Sequence, residues 1–486
     1  MTMKRRNFLI GSAAGASVVA LAACTPEPPT PSPTPTVAPT PTVVPQPSAF
    51  QRTSWSTDPF AQGAFSYQPV GSLPDQRVAL RQPVNGRIFF AGEHTDEVSP
   101  GTVQGAQSSG KRAAESIAEI ASTDERVAVI GAGIAGATAA RYLADAGYSV
   151  VVVEGRDRSG GRILTLNDND WPTPVELGAA WIWNSSHNAL VDELAAIDVT
   201  ASPFDYLPGD RTPAGAEVEP SAVGADAVTK ALAWAATQPV DLSVAEALTG
   251  SGAGDVSDTR DDAGVSDLTR LNTFLATRVD VDSGADPTEL SAWFPGDPTR
   301  STDDDRYVTG EYEKLVTTAL DGLDILPSSA VTLVSQTDRG VSLRLSRGDS
   351  LSADRVIVTV PLGVLKSDTI TFDPVLPFSH RAAINALGMG LQEKMILRYD
   401  EPFWSTDATV WTIVGDDVAY PLWYNMMALT GEPILIGVLG ADAALRQAKA
   451  SDSDALQAAL DSLEPFVDTT GPATETPSPT PDAPAA

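Results

Sequence analysis

The residues Gly131-Ala-Gly133-Ile-Ala-Gly136 constrain this chain more than any other segment. They follow an apolar run over 127–130 that reads as a short buried strand, and a helical run over 137–146 comes after them. A second apolar run over 149–153 ends in Glu154. A strand, a glycine turn, a helix and a strand tipped by an acid form the dinucleotide-binding unit of a Rossmann-like α/β fold. Gly131 and Gly133 let the backbone come close to a pyrophosphate. Ala135 and Gly136 lie at the helix N-terminus, whose partial positive charge faces the phosphates, and Glu154 can accept a hydrogen bond from a ribose hydroxyl.

Gly155-Arg156-Asp157-Arg158-Ser159-Gly160-Gly161-Arg162 continues directly from the acid. Arginine forks beside bare backbone suit bidentate anion binding. Arg158 reads as solvated surface charge, and Arg156, Gly161 and Arg162 as binding residues. With Glu176-Leu-Gly-Ala-Ala-Trp181 added, the chain resembles the flavin-dependent amine oxidases: monoamine oxidases, polyamine oxidases and lysine-specific histone demethylases. The resemblance implies a glutathione-reductase-like FAD-binding domain with a second, α+β substrate domain. It places Gly178, Ala179, Ala180, Trp181 and Val331 against FAD.

The resemblance continues through residues 354–366, 372–377 and 387–394, and then Pro402-Phe-Trp404. It implies that Lys394 is catalytic, holding a water near flavin N5. The family's closing segment is expected after Trp404 but stands near the start instead, in residues 55–67, 86–95 and 101–110. The chain therefore reads as a circular permutant. On this reading Gly92, Glu93, Thr102 and Val103 contact the cofactor from the N-terminal block. A helix over 102–120 returns to the edge where the strand at 127 begins, and residues 121–126 bridge that short gap. The new termini, near Phe50 and Val467, fall in a surface connection of the substrate domain, and close termini make permutation tolerable.

Lys4-Arg-Arg-Asn-Phe-Leu9 is a twin-arginine pattern, followed by an apolar stretch over 8–22 too short for a confident membrane span. Leu21-Ala-Ala-Cys24 resembles a lipobox, which makes Cys24 the lipidated residue. Export by the twin-arginine route and lipid anchoring to the outer face of the bacterial cytoplasmic membrane follow as expectations. Cys24 is the sole cysteine, which excludes an intrachain disulfide and thiolate metal sites; no metal is expected. The division is then a signal over 1–24 and a Pro/Thr-rich linker over 25–49. The FAD-binding domain takes 50–199 and 302–373, the substrate domain 200–301 and 374–467, and a tail 468–486. Helical runs are expected over 228–236 and 265–277.

A formal charge of −31 argues against nucleic-acid binding and favours encounter with cations such as amines. The resemblance implies oxidation of an amine C–N bond by hydride transfer to flavin N5, with O₂ reduced to H₂O₂. The cofactor carries the hard step. His94 sits in the flavin segment, where it would stand behind the residues that touch the flavin; His187 and His380 read as loop residues and are assigned no role. Where monoamine oxidases attach flavin through a cysteine, Ala64 stands here, so FAD is expected to be non-covalent. Their flanking tyrosines correspond to Phe65, a substrate-lining residue, and Thr102. The substrate is expected to be a polyamine or primary amine. An amino acid would need an arginine for its carboxylate, with Arg270 and Arg278 as candidates. A catalytically silent FAD-binding surface protein is the alternative of another class. The oligomeric state stays open.

Overall fold

The computed structural model describes residues 43–468. The twin-arginine segment, Cys24, most of the linker and the tail from 469 lie outside the described residues. Among the described residues, no helix is long and apolar enough to cross a membrane.

Valine- and isoleucine-rich runs form a five-stranded sheet in the order Asp324–Leu326, Ser149–Val153, Arg126–Ile130, Arg355–Val358, Ile88–Phe90. Every pairing in it is parallel. Such strands are buried on both faces, which explains runs without polar alternation. Val127, Val129, Phe89 and Ile357 pack into one core beneath the helices Val103–Ala118 and Ile134–Asp145. Ala128, Ile130, Phe90, Val356 and Val358 pack into another on the opposite face. The two helices approach closely because Gly110 has no side chain: a Cβ there would lie 2.1 Å from the Ala135 carbonyl oxygen.

The strand nearest the N-terminus of this sheet, Ile88–Phe90, pairs with Arg355–Val358 in register Phe89 to Ile357. The N-terminal block thus supplies an edge strand of the parallel sheet. Helix Val103–Ala118 ends slightly before the sequence expectation, and the next strand starts at Arg126.

A second, antiparallel sheet runs Ala49–Arg52, Gln392–Arg398, Ile434–Gly440, Leu422–Asn425, Val410–Thr412. This revises two sequence expectations. Residues 50–52, assigned to the FAD-binding part, belong to this second sheet, where they satisfy the backbone of the Lys394 strand. The end of the supposed linker is docked there too: the Ser48 amide donates to the Arg398 carbonyl at 2.7 Å. Val43 and Val467 line one cavity, so the two ends of the described chain lie side by side.

Helices Val223–Ala235, Val244–Gly250 and Asp267–Phe274 make a separate small core. Ser266 caps the last of these, accepting from the Thr269 amide. The helix does not stop near 277 as expected. It continues as a π-helical turn, Leu275–Val279, then α-helical Asp280–Ser283, and ends at Gly284 with φ +67°. Val279 packs with the helices while Val281 packs against the antiparallel sheet. Those two burials on different sides override the alternating Arg278-Val-Asp-Val-Asp282 pattern.

Candidate active site

One cavity of about 410 Å³ extends from the glycine turn to the antiparallel sheet. Gly131 adopts φ +107°, and a Cβ there would meet Thr359 Oγ1 at 2.5 Å. Gly133 is the N-cap of helix Ile134–Asp145 and offers no side-chain acceptor, so the helix's first N–H groups remain available. Gly131, Gly133, Ile134 and Ala135 line the cavity. Gly136 does not; its bare Cα packs on the Gly131 carbonyl, where a Cβ would lie 2.0 Å away. Its part is to seat the helix on the turn. A second helix N-terminus reaches the same cavity, with Thr102 capping Val103–Ala118 through the Gly105 amide at 3.1 Å. Val103 and Val331 also line it. Glu154 is buried and accepts from the Ala132 and Arg156 amides at 2.7 and 2.8 Å, which fixes the turn against the second strand tip.

Here the N-terminal block meets the arginine loop. Arg156 pairs with Asp58 at 2.7 Å and lies over the Phe60 ring. Arg162 pairs with Glu93 at 2.8 Å and donates to the Ala64 carbonyl. Gly161, Gly92 and Ala64 line the cavity beside them. Glu93 also accepts from the Ser66 hydroxyl at 2.6 Å and the Gly101 amide at 3.0 Å. Burial by itself would raise its pKa, but Arg162, His94, the Ser66 hydroxyl and Arg77 together hold it at about 2. His94 is wholly buried against Gly92, without a hydrogen-bond partner for either ring nitrogen. Burial, reinforced by nearby arginines, lowers its pKa to about 4, so the ring is neutral. Arg158 is not the solvated charge expected: it is half-buried and donates to the Ser159 and Gly161 carbonyls, bracing the loop. His187 is exposed in a short 3₁₀ turn, whereas His380 is buried on helix Phe378–Ala386 with Nε2 2.9 Å from the Gln82 carbonyl oxygen.

Lys394 stands on the second strand of the antiparallel sheet, flanked on both sides rather than at an edge. Its Nζ donates to the Glu176 carbonyl at 3.0 Å and the Gly178 carbonyl at 2.6 Å. Burial lowers its pKa to about 8, against the opposing pull of Glu176. Burial likewise pushes the Glu176 carboxyl up to about 8, although the Tyr312 amide, the Thr165 hydroxyl and Lys394 favour its anion. Preceding Lys394 on the strand, Glu393 accepts from the Trp55 and Ser56 amides and from the Thr53 and Ser56 hydroxyls. That cluster fastens the N-terminal block to the Lys394 strand.

Beyond Lys394 the cavity wall is aromatic. Trp181 stacks on Tyr206 at 5.7 Å and lies 5.3 Å from Tyr424, with Phe204 edge-on at 4.8 Å. Phe65 lines the cavity, as do Gly178, Ala179 and Ala180. Tyr206, Tyr424, Asp282 and Arg300 also line it and were not legible in the sequence, where no motif surrounds them. Of the two candidate arginines, Arg278 lines the cavity, whereas Arg270 pairs with Asp261 at 2.7 Å away from it. Among the described residues, no cluster of His, Cys, Asp and Glu is arranged to hold a metal.

Residues 35–118 and 264–480 match the family described as flavin containing amine oxidoreductase. Residues 129–195 match an NAD(P)-binding Rossmann-like domain. Probable polyamine oxidase 4 of Arabidopsis thaliana is 30% identical over 67% of this chain and 68% of its own length. Polyamine oxidase 2 of the same plant is 27% identical over 69% of this chain and 71% of its own length. In structure, a putrescine oxidase bound to putrescine superposes with a TM-score of 0.55 at 19% identity, covering 71% of this chain and 82% of that one. Cyclohexylamine oxidase from Brevibacterium oxydans gives the same TM-score at 23% identity over 71% of this chain and 82% of its own. These structural likenesses speak to the fold. The family match spans more than half of the sequence, and the chain belongs to the flavin containing amine oxidoreductases.

Proposed function

We propose that the chain oxidises the C–N bond of a small amine, a polyamine or a primary amine, with non-covalent FAD and O₂. The observation that carries this reading is one cavity joining a glycine turn and two helix N-termini to a buried lysine and an aromatic wall. The cavity fits FAD. Gly131 and Gly133 present bare backbone to a pyrophosphate, the helix N-termini supply N–H donors, and Glu154 stands at the tip of the second strand for a ribose to reach. Gly131, Gly133, Ala135, Glu154, Arg156, Gly161, Arg162, Glu93, Thr102, Val103 and Val331 are the residues we assign to holding it. Bound there, FAD supplies the two-electron acceptor for the amine and passes the electrons to O₂.

The chain's own residues do the rest. Trp181, Tyr206, Tyr424 and Phe65 exclude water, which favours the neutral form of an amine. Lys394 is fixed by two carbonyls and stays partly neutral near pH 8, so it can orient a water at the cavity wall. Ala64 stands at the position of the family's attaching cysteine, and residues 43–468 contain no cysteine. The amine should therefore turn over on flavin that acid precipitation releases.

The rotated order of segments is part of this reading. The parallel Ile88–Phe90 strand and the adjacency of Val43 and Val467 both support it. Export through the twin arginines and lipidation of Cys24 complete the proposal; mass spectrometry of the membrane fraction should find the lipid on Cys24.

The deciding experiment is anaerobic addition of amines to the purified yellow protein. Bleaching of the flavin absorbance, and H₂O₂ release once air is admitted, are expected. Persistent yellow colour across a broad amine panel would leave a cofactor-binding surface protein instead.

A further inference from the structure

Four arginines line the cavity, and their pairing is unequal. Arg156, Arg162 and Arg300 are closed by carboxylates at 2.7, 2.8 and 2.8 Å. Arg300 is further held by both oxygens of Asp305 and by the face of Trp183. Arg278 is different. Its nearest carboxylate, Asp282, is 3.5 Å away, its one hydrogen bond is a long 3.4 Å contact to the Pro298 carbonyl, and its buried Nε has no partner. Asp282 is equally open: its Oδ2 is buried without a hydrogen bond, while 27% of its side chain remains accessible on the cavity wall. The two stand one turn apart where a π-helical turn passes into α-helix, a geometry frequent at functional sites. They share the wall with Tyr206 and Tyr424.

The carboxylates lining the cavity are Glu93, Glu154 and Asp282. Glu93 is taken by Arg162, Glu154 by backbone amides, and Asp282 faces Arg278. A second ammonium, as a diamine or polyamine would bring, finds no acid there that an arginine or backbone amides do not already engage. A ligand carrying both charges finds both partners. We propose that Arg278 and Asp282 form a receptor for an α-amino acid, Arg278 taking the carboxylate in a bidentate grip and Asp282 accepting from the adjacent amine. An α-amino acid carries these groups on a single carbon, matching a pair that stands loosely side by side. This proposal rests on the amine-oxidase reading and names its substrate class.

The test compares each L-α-amino acid with the amine formed by removing its carboxylate, for instance L-phenylalanine with 2-phenylethylamine and L-lysine with 1,5-diaminopentane. The amino acid should be preferred by on the order of 100-fold in kcat/KM, the size of effect that follows loss of one partner from a desolvated charge pair. Arg278→Met should erase that preference by raising KM for the acid far more than KM for the decarboxylated amine, with FAD content unchanged. Arg278→Lys should restore part of it, because a point charge replaces a fork. A binding readout is independent of turnover. 3-Phenylpropanoate, which has the carboxylate and no amine, should bind the parent by calorimetry and fail to bind Arg278→Met. Equal handling of the two series, preference for the diamines, or equal loss of both in Arg278→Met overturns the receptor. Arg278-dependent binding of 3-phenylpropanoate with turnover of neither series leaves the receptor standing and removes the oxidase reading.

Discussion

At the glycine-turn end of the cavity the charges are closed on one another: Arg156 on Asp58 at 2.7 Å and Arg162 on Glu93 at 2.8 Å, each pair joining the N-terminal block to the loop after Glu154. At the aromatic end, Arg278 and Asp282 stand 3.5 Å apart with polar atoms unpartnered. The first arrangement makes a rigid cradle whose shape is set before anything binds. The second leaves hydrogen-bonding capacity for a ligand to complete. Preorganisation suits a cofactor that stays, and open pairing suits a substrate that comes and goes.

Cutting the chain should break this comparison most severely. If the cradle were complete in residues 127–162, a chain beginning at Thr123 would still hold FAD. We expect it to fold poorly and to purify colourless, because it lacks the Ile88–Phe90 strand, Asp58 and Glu93. Joining residues 123–467 to 50–121 should restore both the colour and the circular dichroism of the parent. A yellow, active truncated chain would make the N-terminal block an appendage.

Next in size is Glu93→Gln, which removes the anion from a buried pair and leaves Arg162 uncompensated. Breaking such a pair costs about 3–5 kcal/mol, read as a lower urea midpoint at pH 7. The pH dependence has a definite sign. The folded pKa of Glu93 lies at about 2, below its ordinary 4.5. Its contribution is therefore present above the ordinary value and lost as pH falls from there towards 2. The gap between parent and variant should narrow over that window; a gap constant with pH would show that Glu93's charge is not what stabilises the cradle.

A kinetic change follows at the lysine. Lys394→Met should keep FAD and slow reoxidation by O₂ on the order of 10²-fold, the range of a positioned acid or base. In the parent, stopped-flow reoxidation should show a limb near pH 8, where burial places Lys394. Glu176→Gln should move that limb to lower pH, since the Glu176 charge is what opposes the effect of burial. Parent-like rates in Lys394→Met would exclude the lysine from the oxidative half-reaction.

The smallest expected effect is that of Arg158→Ala. It removes two hydrogen bonds to loop carbonyls from a half-buried side chain, worth on the order of 1 kcal/mol each. The thermal midpoint should fall by a few degrees with little change in FAD affinity. A large loss of affinity would make Arg158 a ligand rather than a brace.

The strand, turn and helix from Arg126 to Val153 were legible because glycine spacing and apolar runs act on neighbouring residues, and local backbone preference and burial point the same way there. Lys394 was legible through its resemblance, though its place inside a sheet was not. Arg158 was misread because a charged residue between Asp157 and Ser159 looks solvated until the loop folds back over it. Tyr206, Asp282, Arg300 and Tyr424 carried no signal, since each sits in a separate stretch without a motif. The likeness of the N-terminal block to the family's closing segment was visible as words along the sequence. What those words touch was not.

The sequence by itself determined the dinucleotide turn, the absence of an attaching cysteine at Ala64 and the supply of acids and arginines. Those follow from which atoms each residue has and from short-range sterics. Only the tertiary structure decided that Glu93 closes Arg162 while Asp282 leaves Arg278 open. Pairing among many charges depends on which side chains the packed elements bring within a few ångströms, and distances of that kind are not written along the chain.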